Sequence, residues 1–183
     1  MSAAFAELAP GVVAARAFSV EEAAVVRGIA EATGAWGPAV INDGNEVDRS
    51  IRDAQTLQAD ANPRLVGMCH QRLLAVTSER ASVVAPGARL GEMQFVRYAA
   101  GGGYVEHRDT PDLEATTRVL SLVCYLNEDC AGGATVFPEL GLRVEPSSGL
   151  VIAFDPTLLH AAEPVTAGTK IAITAWYHRR RPA

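Results

Sequence analysis

Several sequence features are scarce or missing in this chain of 183 residues, and each absence argues against one class of protein. The chain has only three cysteines, and so small and odd a number does not form a disulfide framework. We therefore expect reduced thiols and a cytoplasmic location. No apolar run approaches the roughly 18 residues needed to cross a bilayer, so no membrane contact is expected. The formal net charge of −5 argues against general nucleic-acid binding.

The remaining composition predicts one globular domain over residues 1–183. Apolar residues make up 49% and charged residues 20%, which is ordinary for a chain long enough to bury a core. The chain contains no internal repeat, low-complexity tract or linker, and no pattern that indicates an oligomeric state. Residues 1–92 are predicted to be helical support with a candidate substrate flap, and residues 93–178 a strand-rich core.

Two helices are predicted in the first half. Ser19 and Glu22 have capping-box spacing, and the helix that follows should bury Val26, Ile29 and Ala30 and end at Gly34. A second helix should start at the Asn62 cap and run to about residue 80. Its predicted apolar stripe is Leu65, Met68, Cys69, Leu73 and Val76.

The segment between the helices is polar and carries turn signals. Residues 36–38 and 42–45 are predicted turns. Residues 47–60 form either a solvated loop or a flap that faces a substrate.

From Met93 onward, apolar residues no longer recur at helical spacing and instead occur in short runs bounded by glycine and proline. Eight strands are predicted there, at residues 93–98, 104–108, 118–126, 135–137, 142–145, 150–154, 159–161 and 170–177. One earlier strand is predicted at residues 12–18. Helices followed by many short strands indicate an α+β protein in which two facing sheets form a jelly roll.

Residues 103–109 carry the first candidate chemistry, on a predicted strand entered through a glycine turn. There His107 and Asp109 would share a face, with Cα atoms roughly 6–7 Å apart. A solvated polar strand face would show the same pattern. Among the other three histidines, His160 is best placed to add a ligand, because it follows an apolar strand and a turn. Two histidines and one carboxylate suit non-haem Fe(II) that activates dioxygen.

The last predicted strand carries a second candidate site. Lys170, Ala172, Thr174 and Trp176 lie on one face of it. A lysine that points inward on a buried strand needs an anionic partner. A dicarboxylate such as 2-oxoglutarate would supply one.

Together these segments resemble the catalytic core of the 2-oxoglutarate/Fe(II) dioxygenases of the prolyl 4-hydroxylase type, and locally the hypoxia-sensing prolyl hydroxylases. The resemblance covers residues 93–177 and rests on Tyr98, Gly103-Tyr104-Val105, His107, Asp109, Tyr125-Leu126-Asn127, Gly132-Gly133, Phe137-Pro138, His160 and residues 172–177. It departs at Lys170, where the hypoxia-sensing group uses arginine and the wider family lysine. The resemblance implies a double-stranded β-helix, or cupin-like jelly roll, with the N-terminal helices packed on one sheet.

The resemblance also implies roles for individual residues. The expected iron ligands are His107, Asp109 and His160. Lys170 and Thr174 would hold the distal carboxylate of 2-oxoglutarate. Tyr98 and Tyr125 match positions that line the cosubstrate pocket, although each could equally be a core tyrosine. Candidate substrate contacts, each with a structural or solvated alternative, are Arg49, Arg52, Tyr104, Arg118 and Trp176.

The leading hypothesis is a hydroxylase of aliphatic C–H bonds that uses Fe(II), dioxygen and 2-oxoglutarate and releases succinate and CO₂, with ascorbate as a candidate reductant. Its substrate would be a free amino acid or similar metabolite, which the short chain and the polar segment slightly favour, or a prolyl residue of a partner protein. Two other classes stay open. One is a catalytically silent sensor of the same fold that binds metal and 2-oxoglutarate; the other is a zinc hydrolase, which would leave Lys170 and Thr174 unexplained.

Overall fold

The computed structural model describes residues 4–41, 46–57, 60–110 and 117–179. The turn predicted at residues 42–45 lies outside these ranges, but Ile41 and Glu46 on either side of it form an antiparallel bridge. In the described ranges, neither helix has the length and apolar character needed to span a membrane.

Helix α1 spans Val20–Thr33, and both of its caps match the prediction. The Ser19 hydroxyl accepts a hydrogen bond from the Glu22 amide, and the Glu22 carboxylate accepts one from the Ser19 amide. Gly34 ends the helix in the left-handed region at φ 72°, where a glycine has no Cβ to clash. Local capping chemistry therefore determines where this helix begins and ends.

Helix α2 spans Pro63–Val84, one turn longer than predicted. Its N-cap Asn62 accepts a hydrogen bond from the Leu65 amide. Each helix exposes one residue of its predicted stripe. Ile29 and Met68 are 40% and 45% exposed, so their predicted core positions are wrong. Each directly precedes a buried residue and so lies about 100° around the helix from it.

Fourteen strands are present in the described ranges. The major sheet contains Ala6–Ala9 (β1), Val12–Arg16 (β2), Trp36–Pro38 (β3), Gln55–Leu57 (β4), Arg89–Ala99 (β5), Arg118–Tyr125 (β7), Leu150–Phe154 (β11) and Thr169–His178 (β14). The minor sheet contains Tyr104–His107 (β6), Thr135–Phe137 (β9), Leu142–Val144 (β10) and His160–Ala162 (β12). A small ribbon pairs Ala131–Gly132 (β8) with Val165–Ala167 (β13).

The strand order confirms the predicted jelly roll. The major sheet runs β1-β2-β11-β7-β14-β5-β4-β3 and the minor sheet β10-β9-β12-β6. The unpredicted strands β1, β3 and β4 extend the major sheet at its two edges. Residues 36–38, predicted as a turn, are the edge strand β3, and an edge is where a sheet tolerates the proline at its end.

Two apolar layers lie on opposite faces of the major sheet. Strand β14 shows why, because Ile171, Ile173 and Tyr177 pack in the cluster that contains both helices. Its other face carries Ala172, which packs with Phe137 and Phe154 in the cluster between the sheets. The helices thus pack on one sheet, as predicted, and the opposite face of β14 is directed into the space between the sheets.

Candidate metal centre and cosubstrate pocket

Three predicted ligands meet at one end of the minor sheet. Strand β6 ends at His107, and β12 begins at His160, which is its register partner. Asp109 lies beyond the end of β6, so its predicted position on the strand is wrong. Its carboxylate nevertheless returns to the site, with each histidine Nε2 3.8 Å from an Asp109 oxygen. The candidate ligand atoms all lie within 4.8 Å of one another, an arrangement that could hold one metal ion.

Both histidines direct Nε2 toward this point. The Nδ1 atom of His107 lies 2.8 Å from the Val105 carbonyl oxygen, and that of His160 lies 2.9 Å from the Leu158 oxygen. A carbonyl only accepts, so Nδ1 carries the proton and Nε2 keeps its lone pair. Burial, followed by the nearby His160, lowers the pKa of His107 to about 4. His107 is therefore neutral at pH 7, as a metal ligand must be.

The Asp109 carboxylate is fixed by two donors on the major sheet. Ser121 Oγ donates to Oδ2 at 2.5 Å, and the Trp176 indole Nε1 donates to the same oxygen at 3.0 Å. Burial raises the pKa of Asp109, but the two histidines and these hydrogen bonds together lower it more, so the net pKa is below its usual value. Asp109 thus stays ionised and oriented across the gap between the sheets.

The three ligands open onto a cavity of about 410 Å³ between the sheets. Lys170 lies in its wall, 1% exposed, and its Nζ donates to the Gly133 carbonyl oxygen at 2.6 Å. Over the described ranges, no carboxylate lies within ion-pair distance of Lys170. Burial lowers the pKa of Lys170 to about 8, so at neutral pH the ammonium is charged but lacks a counter-charge from the described chain.

Two further polar atoms in the cavity wall have no hydrogen-bond partner in the described structure. They are Thr174 Oγ1 and Gln94 Oε1, which belong to residues paired across β14 and β5. Buried polar groups are rarely left unpaired, so both atoms indicate a polar ligand. Sequence reasoning missed Gln94, although its alternation with Tyr98 along β5 places both on one face.

Comparison with known proteins agrees with this geometry. Residues 93–178 match the family model described as the 2OG-Fe(II) oxygenase superfamily. The match covers just under half of the chain, so over its strand-rich core the chain is similar to this superfamily and prolyl 4-hydroxylase-like.

Several of the similar proteins are prolyl hydroxylases. Prolyl 4-hydroxylase subunit alpha-1 of Gallus gallus is 35% identical over 107 residues, which cover 49% of this chain and 21% of that protein. The chain thus spans about a fifth of the length of the first curated relatives it matches.

Solved structures are similar over most of their length. A Pseudomonas putida prolyl-4-hydroxylase superposes with a TM-score of 0.65 and 25% identity over 93% of both chains. A Trichoplax adhaerens prolyl hydroxylase, solved with a peptide fragment of the hypoxia inducible factor oxygen degradation domain, gives 0.67 at 19% identity, covering 92% of this chain and 83% of that one.

The two tyrosines expected in the oxygenase pocket have different positions. Tyr98 lines the cavity, with its ring centroid 4.5 Å from Lys170 Nζ. Tyr125 is fully buried between the sheets and does not line the cavity wall; its hydroxyl donates to Thr135 Oγ1 at 2.8 Å. Thr135 lines the cavity, so Tyr125 reaches the cavity wall through this hydrogen bond, and its direct contact with the cosubstrate stays a prediction.

Four of the five candidate substrate residues line the oxygenase cavity: Arg52, Tyr104, Arg118 and Trp176. Arg118 donates to the Asp109 backbone oxygen at 3.1 Å and to Glu92 at 2.9 Å, and its guanidinium lies 4.5 Å from the Trp176 ring centroid. It is therefore held in place and is not the solvated arginine of the alternative. Arg49 is exposed and lies at a separate depression, so its expected place in the pocket is corrected.

Proposed function

We propose that this chain is an Fe(II)- and 2-oxoglutarate-dependent dioxygenase that hydroxylates an aliphatic C–H bond of a prolyl residue. One observation carries the proposal: a buried lysine without a counter-charge shares a cavity with two histidines and a carboxylate. A zinc hydrolase would use the three ligands but would have no need of Lys170. A dicarboxylate cosubstrate explains both groups. A catalytically silent sensor would use them too, and substrate-dependent succinate formation distinguishes it from the enzyme.

The donor set fits the expected groups. His107 Nε2, His160 Nε2 and the Asp109 carboxylate would hold Fe(II), leaving its opposite side open. Lys170 and the unpartnered Thr174 hydroxyl would hold the distal carboxylate of 2-oxoglutarate. When bound, these groups supply the oxidation of the C–H bond by dioxygen, with release of succinate and CO₂. The chain positions them and excludes water from the cavity.

Comparison with solved structures changes the substrate class that we propose. The sequence alone slightly favoured a free metabolite, because of the polar segment between the helices. The Trichoplax adhaerens protein is similar over 83% of its own length and was solved with a peptide, which supports a peptidyl substrate on this fold. The cytoplasmic location and ascorbate as reductant remain part of the proposal and rest on the sequence arguments.

The test is a two-panel reaction with Fe(II), 2-oxoglutarate and ascorbate, scored by substrate-dependent succinate. We expect proline-containing peptides to stimulate succinate formation, and His107→Ala to abolish it. Stimulation by free amino acids alone would move the substrate class to metabolites. If neither panel stimulates turnover while 2-oxoglutarate still binds, the protein is the silent sensor.

A further inference from the structure

We propose that Arg52 binds a carboxylate of the substrate, so that the preferred prolyl substrate carries a negative charge beside the residue to be hydroxylated. The inference rests on the proposed function and specifies its substrate. It arises from the position of Arg52 in the cavity and from the balance of charge there.

Arg52 is a buried cation close to the metal centre. It is 8% exposed and lines the same cavity as His107 and Lys170. Its guanidinium carbon lies 5.1 Å from the ring centroid of Tyr104, and that ring stacks on His107 at 3.5 Å. A backbone bridge between Arg52 and Tyr104 holds the arginine at this position. A group bound by Arg52 would therefore lie one aromatic ring away from a metal ligand.

The hydrogen-bonding capacity of Arg52 is only partly used. Its Nη1 donates to the Val40 carbonyl oxygen at 3.0 Å, and its side chain also hydrogen-bonds to the Tyr98 hydroxyl, whereas its buried Nε has no partner in the described structure. A guanidinium offers a planar fork of donors that matches a carboxylate. The unpartnered Nε and the remaining guanidinium donors of Arg52 thus suit an anion with two oxygens.

Charge balance indicates that this anion belongs to the substrate. In the described wall of the cavity, the carboxylates are Asp109 and Glu92. Glu92 pairs with Arg118 at 2.9 Å. Asp109 and one carboxylate of 2-oxoglutarate would neutralise Fe(II), and the other carboxylate would neutralise Lys170. Arg52 is then the one cationic group of this described wall without a counter-charge, and burial of an unpaired charge is unfavourable.

Two sources could present such a carboxylate. One is the terminal carboxylate of a C-terminal or free proline, and the other is an acidic side chain next to an internal proline. The experiment uses a matched pair for each: acetyl-Ala-Pro as acid or amide, and acetyl-Ala-Pro-Asp-amide against its Asn analogue. Each is titrated into protein loaded with Mn(II) and 2-oxoglutarate under anaerobic conditions, so that binding is measured without turnover.

We expect at least one acidic ligand to bind at least tenfold more tightly than its neutral analogue, the minimum for a buried charge pair. Arg52→Gln should remove this preference, and Arg52→Lys should retain part of it. Arg49→Gln, an exposed arginine on the same segment, should keep the wild-type preference.

Equal binding of acid and neutral forms by the wild-type protein would overturn the inference without any variant. A preference that survives Arg52→Gln would also overturn it. The proposed function fails separately, when neither acidic nor neutral proline peptides support hydroxylation with Fe(II). Hydroxylation of both forms at equal rates would leave the function standing and remove the role of Arg52.

Discussion

Replacing Lys170 with methionine should weaken 2-oxoglutarate binding and, at neutral pH, stabilise the ligand-free protein. Both effects have the same cause, because the Lys170 ammonium is buried with the Gly133 carbonyl as its hydrogen-bond acceptor and without an anion from the described chain. Methionine is of similar length and uncharged, so it fills the site without needing a counter-charge. Function and stability therefore make opposite demands at this position.

The stability effect follows from the lowered pKa of Lys170. A fall from 10.5 to about 8 corresponds to about 3 kcal/mol of destabilisation of the charged form in the folded state. This destabilisation is fully present below about pH 8, decreases as pH rises toward 10.5, and is absent above that, where lysine is neutral in both states. The substitution also removes the hydrogen bond to Gly133, worth about 1 kcal/mol. The net expected gain at pH 7 is about 2 kcal/mol.

The binding effect has the opposite sign. Removal of one partner from a buried charge pair typically costs about 2–5 kcal/mol, so the dissociation constant of 2-oxoglutarate should rise at least tenfold. Anaerobic titration measures this constant. Denaturant unfolding at pH 7, repeated between pH 8 and 10.5, measures stability relative to the wild type. The advantage of the variant should shrink across that pH range.

His70→Ala is the control for both measurements. His70 lies on α2, where its Nε2 is 3.2 Å from the Leu90 carbonyl oxygen, and it does not line the cavity. It should leave 2-oxoglutarate affinity unchanged. An unchanged affinity in a folded Lys170→Met protein would refute the cosubstrate role. A variant less stable than wild type at pH 7 would refute the charge-burial argument.

Three shorter predictions concern the metal centre. Alanine at His107, Asp109 or His160 should abolish tight anaerobic Fe(II) binding, and wild-type affinity in any one variant would remove that residue from the site. Ser121→Ala and Trp176→Phe should each weaken Fe(II) binding about 10–100-fold, since partners that orient a ligand contribute that much; unchanged affinity would show that Asp109 needs neither donor. The protein should hydroxylate and not halogenate, because Asp109 occupies the carboxylate position, and chlorinated product in chloride buffer would contradict this.

Local chemistry explains the parts of the fold that could be predicted from sequence. The caps at Ser19, Gly34 and Asn62 act within a few residues, so short motifs place the helix ends. The alternation along β14 placed Lys170 and Thr174 on the inner face, because strand geometry has a strict period of two. The pairing of β6 with β12 is not local, yet His107 and His160 could be matched because the chain has only four histidines.

The errors arose where long-range packing decides. The burial of Ile29 depends on the width of the sheet surface that contacts its helix. The spacing of apolar residues along the sequence does not reveal that width. Strands β4 and β3 form only because β5 provides a partner for β4, which in turn pairs with the edge strand β3. Arg49 and Arg52 are nearly equivalent in sequence, but the bridge to Tyr104 buries Arg52 and leaves Arg49 exposed.

The support of β14 explains how the fold tolerates the charge of Lys170. This strand is paired on both sides, with β5 and β7, and its opposite face buries Ile171 and Ile173 against the helical layer. Burial of each such apolar side chain contributes about 1.5–3 kcal/mol, comparable to the destabilisation from the buried ammonium. The helices, which contribute no residue to the cavity wall within the described ranges, therefore act on function by holding β14 in place. A strand less firmly packed could relieve the unfavourable charge by moving Lys170 to solvent, and the pocket would lose the group proposed to select a dicarboxylate.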